Sequence, residues 1–242
     1  MEIDGRIAVV TGGGAGIGLA VAGALAEEGA AVVVADVDPE GGRRAAEELG
    51  GRFVQADVLV DDDLRALIDA AEGLEILVNN AGGAPGPYFP EAPIEHWSRT
   101  LELNLRSAMV ATQLALHAMT TGGAIVNVSS MAGYGLFPHR SPEYAAAKAG
   151  LMRLTGALSP LAASHRLRVS CVCPDWVDTP AVQRSVASMT EEERAEVPGL
   201  VSADEIASIV LDLIRDDGSG GRVVIRPADG PAMTMPVEGP CG

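Results

Sequence analysis

One lysine stands out among the seventeen basic residues of the chain. All the others are arginines, and Lys148 is the single position that carries an ammonium group. An ammonium is a compact point charge on a flexible stem, which guanidinium cannot replace. Tyr144 lies four residues earlier, and the three residues between them are alanines, the strongest helix formers. Residues four apart share one helix face, so the sequence predicts a Tyr–Lys pair on a helix.

This pair has the residue types needed for acid–base chemistry. A tyrosine ionises near pH 10, so its pKa must fall by about 3, roughly 4 kcal/mol, before it acts at neutral pH. One positive charge at ~5 Å supplies ~3 kcal/mol at an effective dielectric constant near 20. A second nearby cation would complete the shift. The alternative is an ordinary amphipathic helix that holds Tyr144 and Lys148 by chance.

A glycine-rich cluster near the N-terminus has the setting of a phosphate-binding turn. Residues 6–11 form an apolar, β-branched run, and the cluster TGGGAGIG occupies 11–18. An apolar-periodic helix follows up to Gly29, then a second apolar run at 31–35 that ends at Asp36. Glycines keep such a turn tight and let backbone N–H groups reach a pyrophosphate at the helix N-terminus. The alternative is a glycine-rich turn without a ligand.

Asp36 indicates which dinucleotide would bind. A carboxylate at the end of the second strand accepts hydrogen bonds from both ribose hydroxyls of NAD and repels a 2′-phosphate. Neither Ala15 nor Val37 offers a group that would hold such a phosphate. Arg43 and Arg44 are expected on a solvated face of the next helix. The sequence therefore predicts NAD rather than NADP.

Strands and helices alternate along the whole chain. The predicted strands are 6–11, 31–35, 52–56, 75–78, 123–128, 167–173 and 222–226. Helices are predicted after the glycine cluster, at 39–49, 61–71, 94–119, around Tyr144 and at 202–214, with an irregular segment at 174–200. This order predicts an α/β fold with a doubly wound (Rossmann) seven-stranded parallel sheet and helices on both faces. Short linkers favour one domain over 1–242, with 174–200 as its substrate loop.

Composition excludes several function classes. A formal charge of −16 and no basic run argue against nucleic acid and anionic membranes as partners. No apolar run reaches the ~20 residues needed to span a bilayer, and the N-terminus does not resemble a signal peptide, so we expect a cytoplasmic protein. The three cysteines, Cys171, Cys173 and Cys241, are interpreted as reduced thiols rather than disulfides. The four histidines lack metal-site spacing, so no metal is expected.

Taken together, the motifs resemble the short-chain dehydrogenase/reductase family, of the single-domain type with about 250 residues. The resemblance covers nearly the whole chain. Its carriers are the TGGGAGIG loop at 11–18, the NNAG motif at 79–82, and the residues Asn104, Ser130, Tyr144 and Lys148 in the positions of the family's catalytic tetrad.

The resemblance implies a role for each of these four side chains. Tyr144 would be the general acid/base while hydride moves to or from the nicotinamide. Ser130 would position the substrate oxygen, and Lys148 would lower the pKa of Tyr144 and bind the nicotinamide ribose. Asn104 would hold a water that links Lys148 to solvent. The oxidised nicotinamide would supply the second positive charge.

The resemblance also implies the residues that contact the cofactor. They are Gly12, Gly14 and Ile17 in the loop, Asp36 and Val37 after the second strand, Asp57 and Val58 at the adenine, Asn80, Ala81 and Gly82 near the ribose, Tyr144 and Lys148, and Val177 and Thr179 at the carboxamide.

Three positions leave alternatives open. Ser129 competes with Ser130 for the catalytic role, and Asn104 could be an amide on a helix surface. The family commonly has Pro-Gly after its sixth strand, whereas this chain has Pro174-Asp175. Either the local backbone differs there, or a charge lies near the substrate.

The loops expected around the substrate are mostly apolar. They contain Tyr88, Met131, Tyr134, Leu136, Phe137, Trp176, Val182 and Met189. Such a pocket suits a hydrophobic or mid-sized secondary alcohol or ketone, although any one of these residues could serve ordinary packing. The family also implies a homotetramer.

Two other functions remain open. A 3-oxoacyl thioester reductase would be expected to prefer NADPH, contrary to Asp36. A sensor or scaffold that binds NAD(H) without turnover would have no reason to keep both Tyr144 and the only lysine. The sequence therefore favours an NAD-dependent alcohol dehydrogenase or ketone reductase.

Overall fold

One predominantly parallel sheet forms the centre of the molecule. The computed structural model describes residues 1–195 and 197–235. The strands are β1 (Ile7–Thr11), β2 (Ala31–Asp36), β3 (Arg52–Gln55), β4 (Leu74–Asn79), β5 (Gly123–Val128), β6 (Leu167–Pro174), β7 (Val223–Arg226) and β8 (Met233–Thr234). Their order in the sheet is β3-β2-β1-β4-β5-β6-β7-β8. The order reverses between β1 and β4, where an α/β sheet opens a crevice at its carboxyl edge.

Helices cover both faces of this sheet. They are α1 (Gly16–Glu27), α2 (Pro39–Glu48), α3 (Asp61–Ala70), α4 (Ile94–Leu101), α5 (Ser107–Ala118), α6 (Pro142–Ala157), α7 (Leu161–His165), α8 (Pro180–Ala187), α9 (Glu191–Ala195) and α10 (Ala203–Arg215). One buried apolar cluster joins α1, α2 and α10 to the sheet, and a second joins α3 and α5. Two clusters on opposite faces explain why β5 and β6 are buried along their whole length. The predicted doubly wound fold is confirmed.

The eighth strand was not predicted. β8 is only two residues long and pairs antiparallel with the edge strand β7. Two residues are too few to show the alternation of a strand, so nothing in the sequence indicated it.

The segment 174–200 is more regular than predicted, because it contains α8 and α9. The side chain of Thr179 caps α8 by accepting a hydrogen bond from the Val182 N–H at 3.3 Å, and Pro180 occupies the first helical position. Both are helix start signals that the sequence displays. The prediction of an irregular segment was wrong here.

The helix predicted over 94–119 is interrupted by a wider π turn. This turn spans Glu102–Arg106 and separates α4 from α5. Asn104 lies within it, and its Nδ2 donates to the carbonyl of Thr100 at 2.9 Å. Local π turns recur at functional positions, and this one turns a buried amide toward the sheet edge.

A chain of buried side-chain hydrogen bonds fixes α6 to the sheet. Asn79 Nδ2 donates to Asn127 Oδ1 at 2.9 Å and to Thr112 Oγ1 at 3.2 Å. Asn127 Nδ2 donates in turn to Thr155 Oγ1 on α6 at 3.0 Å. A fully paired buried network specifies one arrangement of its elements, so β4, β5, α5 and α6 keep a single register.

Two of the three cysteines lie in the described residues. Cys171 and Cys173 are fully buried free thiols on β6, with their sulfurs 3.7 Å apart. Cys241 lies outside the described residues. Among the residues that are described, no helix is both long and apolar enough to cross a membrane.

Candidate active site

A cleft opens at the carboxyl edge of the sheet, beside the reversal of strand order. We call it the edge cleft; its volume is about 620 Å³. It is lined by Gly12, Ala15, Gly16, Ile17, Asp38, Arg44, Asn80, Ala81, Gly82, Gly83, Val128, Ser129, Ser130, Tyr144, Lys148, Pro174, Asp175, Val177, Thr179, Pro180, Ala181, Val182 and Arg184. The ends of five strands and the start of α1 therefore contribute to one site.

Lys148 is a buried cation in this cleft. Its Nζ donates to the carbonyl of Val128 at 2.9 Å and lies 5.6 Å from the ring centre of Tyr144, so the predicted pair forms on one face of α6. Only 3 % of the residue is exposed, and it has no ion-pair partner in the described part of the chain. Burial lowers the pKa of Lys148 to about 8, although the thiols of Cys171 and Cys173 oppose this shift.

Tyr144 is half-buried beside it. Burial raises the pKa of Tyr144, hydrogen bonding to Ser130 opposes that shift, and the nearby Cys173 thiol adds to it. The sequence predicts that Lys148 lowers this pKa, but in the protein alone the net shift is upward. Desolvation of the phenolate outweighs the groups that stabilise it.

The structure separates the roles of the two adjacent serines. Ser129 is buried, and its Oγ donates to the backbone carbonyl of Lys148 at 2.8 Å. Ser130 is half-buried, its Oγ accepts from the Ala132 N–H at 3.1 Å, and it is the serine close enough to Tyr144 to oppose the upward shift in the pKa of that phenol. Ser129 therefore holds the helix that carries Lys148, and Ser130 is the serine that lies beside Tyr144.

Asn104 is not a helix-surface amide. It is 2 % exposed, its Nδ2 donates to the Gly83 carbonyl at 2.7 Å, and its Oδ1 accepts from the Gly83 N–H at 3.0 Å. A Cβ placed on Gly82 would lie 2.6 Å from Asn104 Oδ1 and 3.2 Å from Lys148 Nζ. The amide oxygen and the ammonium thus face each other across Gly82, which has to be a glycine to leave that space.

The glycine loop is closed by the NNAG segment. Asn80 Nδ2 donates to the carbonyls of Thr11 at 2.9 Å and Gly12 at 3.1 Å. Thr11 Oγ1 accepts from the N–H groups of Asn80 at 3.0 Å and Ala81 at 3.1 Å. A Cβ on Gly18 would lie 2.1 Å from the Gly12 carbonyl oxygen. Thr11 and Gly18 belong to the motif, but only the structure shows that they hold its shape.

The loop fits an anionic group at the start of α1. Ala15, the N-cap residue of α1, has no side-chain acceptor for the first N–H groups of the helix. Free N–H groups at a helix N-terminus favour a phosphate. Thr179 packs opposite, 3.2 Å from the position of a Cβ on Gly16. These residues fit a dinucleotide pyrophosphate.

Asp36 lies beside this loop as predicted from its strand. Its Oδ2 accepts from the Gly14 N–H at 2.9 Å and its Oδ1 from the Asp38 N–H at 3.0 Å.

Six predicted residues do not line the edge cleft: Gly14, Asp36, Val37, Asp57, Val58 and Asn104. Arg44 is exposed as predicted, but it also borders the cleft, which the prediction of a solvated face did not include.

Asp175 places its carboxylate near the site and also serves the backbone. Its N–H donates to the Arg226 carbonyl at 2.9 Å, and its Oδ2 accepts from the Ala228 N–H at 3.2 Å. Asp175 lines the edge cleft together with Val177 and Thr179. The acid in place of the usual glycine therefore ties β6 to the turn after β7.

A second cavity of about 480 Å³ adjoins the cleft, and we call it the side pocket. It is lined by Ala84, Tyr88, Ser130, Met131, Ala132, Phe137, His139, Arg140, Ser141, Tyr144, Asp175, Trp176, Val182 and Ser185. Of the eight residues predicted near the substrate, Tyr134, Leu136 and Met189 are not part of it. The polar residues 139–141 were not predicted.

The comparisons with known proteins give the family. A family model described as short chain dehydrogenase matches residues 6–190, which is more than half of the chain. The chain belongs to the short-chain dehydrogenase family. Its members use NAD or NADP as the cofactor.

Individual relatives agree with the family. Over 228 residues, the chain is 38% identical to cis-4-hydroxycyclohexanecarboxylate dehydrogenase of Sinomonas cyclohexanicum, covering 88% of this chain and 91% of that protein. A solved 7α-hydroxysteroid dehydrogenase with NADH and 7-oxo glycochenodeoxycholic acid superposes with a TM-score of 0.85 at 29% identity, covering 95% of each chain. Actinorhodin polyketide ketoreductase with NADPH gives 0.83 at 30% identity, over 93% of this chain and 96% of that chain.

The glycine loop gives a first prediction for this short-chain dehydrogenase. Gly18→Ala should weaken NADH binding at least about tenfold, because the new methyl group would collide with the Gly12 carbonyl and with Asn80 Nδ2. Titration of NADH fluorescence measures this. Gly23→Ala in the same helix is the control, since its Cβ meets only Leu49 Cδ2 at 3.7 Å. It should keep NADH binding and stabilise the protein by about 0.5–1 kcal/mol. Equal affinities in both variants would contradict the expectation.

Burial of Lys148 gives a second prediction, on stability. Its pKa is about 8 in the folded protein, against about 10.4 when unfolded, so between these values the unfolded chain binds more protons and stability rises with pH. Below pH 8 the buried ammonium costs up to about 3 kcal/mol. Lys148→Met should therefore raise the free energy of unfolding at pH 7, and its advantage should shrink toward pH 10. Urea unfolding at several pH values tests this, with the exposed Arg153→Met as control. A pH-independent difference would show that Lys148 is not the titrating group.

Proposed function

We propose that the protein is an NAD-dependent dehydrogenase of secondary alcohols, or the reductase of the corresponding ketones. The observation that carries this proposal is the boundary between the edge cleft and the side pocket. Ser130, Tyr144, Asp175 and Val182 line both cavities. A substrate in the side pocket and a dinucleotide in the edge cleft would therefore meet at the hydroxyl groups of Ser130 and Tyr144.

The residues of the edge cleft suit a nicotinamide dinucleotide. The turn at the start of α1 would hold the pyrophosphate, Asp36 the adenosine ribose, Asp57 and Val58 the adenine, and Lys148 the nicotinamide ribose. Val177 and Thr179 would hold the carboxamide. The cofactor supplies the acceptor or donor of the hydride.

The protein's own residues would carry out the proton transfer. Ser130 would hydrogen-bond the substrate oxygen, and Tyr144 would take the hydroxyl proton in oxidation or return it in reduction. The ammonium of Lys148 would favour the phenolate of Tyr144 when a second cationic group lies in the cleft. Asn104 would place a water between Lys148 and solvent, because its Oδ1 faces Nζ across Gly82.

The likeness to a dehydrogenase of hydroxycyclohexanecarboxylate supports a small alicyclic alcohol as the substrate class. The mixed polar and apolar lining of the side pocket agrees with this.

We also propose a single domain over 1–242, a cytoplasmic location and a homotetramer built through α4, α5 and α6. A monomer mass measured by light scattering would contradict the proposed tetramer.

Reduction with NADPH is the second candidate, because Arg44 borders the edge cleft. A guanidinium there is the kind of group that binds a 2′-phosphate. The alternative of a sensor without turnover has no such observation in its favour, since Lys148 is buried at a cost in stability.

Turnover gives the third prediction. With NAD at mildly alkaline pH, alicyclic secondary alcohols should raise the absorbance at 340 nm, and Tyr144→Phe should lower kcat by at least about a thousandfold because the proton acceptor is lost. Tyr134→Phe is the matched control, since Tyr134 lines neither cavity. Turnover that survives in Tyr144→Phe would contradict the assigned role, and binding of NADH without any turnover would favour the sensor.

Cofactor choice gives the fourth prediction. NADH should bind at least about tenfold more tightly than NADPH, and Asp36→Ser should reduce that ratio by removing the carboxylate that repels the 2′-phosphate. Kd values for both cofactors in the wild type, Asp36→Ser and Arg44→Gln measure it. Loss of NADPH affinity alone in Arg44→Gln, in a protein that prefers NADPH, would establish the second candidate instead.

A further inference from the structure

The wall of the side pocket contains a polar strip, His139-Arg140-Ser141, just before α6. Ser141 is 1 % exposed and lines the pocket, yet its Oγ has no hydrogen-bond partner among the described residues. Leaving a buried hydroxyl unpaired costs roughly 1–3 kcal/mol. The oxygen itself has no accessible surface, so the Ser141 side chain would have to rotate about χ1 to offer this hydroxyl to a ligand in the side pocket.

Arg140 borders the same pocket and also has no carboxylate partner among the described residues. Seven arginines form ion pairs, namely Arg6, Arg65, Arg106, Arg168, Arg215, Arg222 and Arg226. Arg140 makes no ion pair within the described residues; its guanidinium lies over the ring of Tyr88 at 4.9 Å. Nine of the sixteen arginines make no ion pair within the described residues, and Arg140 is the one of these nine that lines the side pocket.

Other charged and polar groups lie at different positions around the side pocket. The carboxylate of Asp175 lies at the boundary with the edge cleft, with one oxygen bonded to the Ala228 N–H. Hydrogen bonding with Thr190 lowers the pKa of Glu193, and the guanidinium of Arg140 is close enough to contribute to this shift. His139 binds the backbone of Ser141 through Nδ1, at 3.1 Å, and its ring lies 6.1 Å from that of Tyr144. Asp175 therefore lies at the boundary with the edge cleft, whereas Arg140 lines the side pocket alone.

Building on the proposed function, we infer that the substrate carries a carboxylate on an apolar body, and that Arg140 and Ser141 bind this carboxylate. Guanidinium has only donors and a serine hydroxyl can donate, so both groups suit an acceptor with two oxygens. Met131, Phe137, Trp176 and Val182 would contact the apolar body. Repulsion from Asp175 orients the molecule, so that its carboxylate points away from the nicotinamide and its carbinol carbon toward Tyr144.

Binding of unreactive probes tests this inference without turnover. Calorimetry on NADH-saturated protein would compare cyclohexanecarboxylate with its neutral isostere cyclohexanecarboxamide. The carboxylate should bind at least about tenfold more tightly, and Arg140→Gln should remove that preference while leaving the amide affinity unchanged. Ser141→Ala should weaken the carboxylate about threefold to tenfold and should not lower the thermal midpoint, because the lost hydroxyl had no partner. Arg153→Gln, an exposed arginine of α6, is the matched control.

The outcomes separate this inference from the proposed function. Equal affinities of the two probes, no binding of either, or a carboxylate preference that survives Arg140→Gln would overturn the inference. Reduction of 4-oxocyclohexanecarboxylate and 4-methylcyclohexanone is measured in parallel by NADH oxidation. Similar kcat/KM for the two ketones would overturn the carboxylate site and leave the dehydrogenase intact. Selective carboxylate binding without oxidation of NADH would leave the site intact and overturn the dehydrogenase. If both hold, Arg140→Gln should raise KM for the acid more than it lowers kcat.

Discussion

The burial of one ammonium group is the constraint on which the rest of the site depends. Lys148 reaches the carboxyl end of β5, where its Nζ donates a hydrogen bond to the Val128 carbonyl. A charge in that position is unfavourable unless the surrounding groups are fixed. The structure fixes them twice: Ser129 holds the Lys148 carbonyl, and the chain Asn79–Asn127–Thr155 holds α6 against β4 and β5. Stability is reduced at a residue to which the proposed mechanism gives a role.

The second constraint is the close approach of backbone to functional side chains. Gly82 separates Asn104 from Lys148 by a space that a methyl group would fill, and Gly18 lets α1 start against the Gly12 carbonyl. In both places the groups that come close to the glycine belong to other segments of the chain: Asn104 and Lys148 at Gly82, and Gly12 and Asn80 at Gly18. The π turn between α4 and α5 serves the same end, since it brings Asn104 to the loop that follows β4.

Most of the fold could be predicted because its signals are local. Apolar β-branched runs, glycine turns and helical periodicity identified seven strands and the order of the helices. β8 escaped because two residues carry no period, and α8 was missed although Thr179 and Pro180 are start signals. The spacing of four residues placed Tyr144 and Lys148 on one helix face, and the other motifs of the family made this prediction specific.

The parts of the site that could not be predicted depend on contacts between distant segments. Nothing in the order Ser129-Ser130 shows which hydroxyl turns to the Lys148 carbonyl, because that is decided by the packing of α6 on β5. Arg44 and Arg140 look alike in the sequence, and only the folded chain shows that each borders a cavity. The upward shift in the pKa of Tyr144 was not predicted, because desolvation of the phenol depends on packing that the sequence does not display.

Local fields, rather than the net charge, decide what this acidic protein can bind. A charge of −16 would repel an anionic dinucleotide at long range, but solvent ions screen it beyond about 8–10 Å. In the edge cleft, the N–H groups at the start of α1 and the cationic residues Arg44, Lys148 and Arg184 are set against the acidic Asp38 and Asp175. Arg140 plays the same part in the side pocket. Each cavity therefore has cationic residues in its lining, and the two share Asp175. The proposed pairing of an anionic dinucleotide with a carboxylate substrate requires a cation in each cavity, with the neutral, reacting ends of the two molecules beside Tyr144.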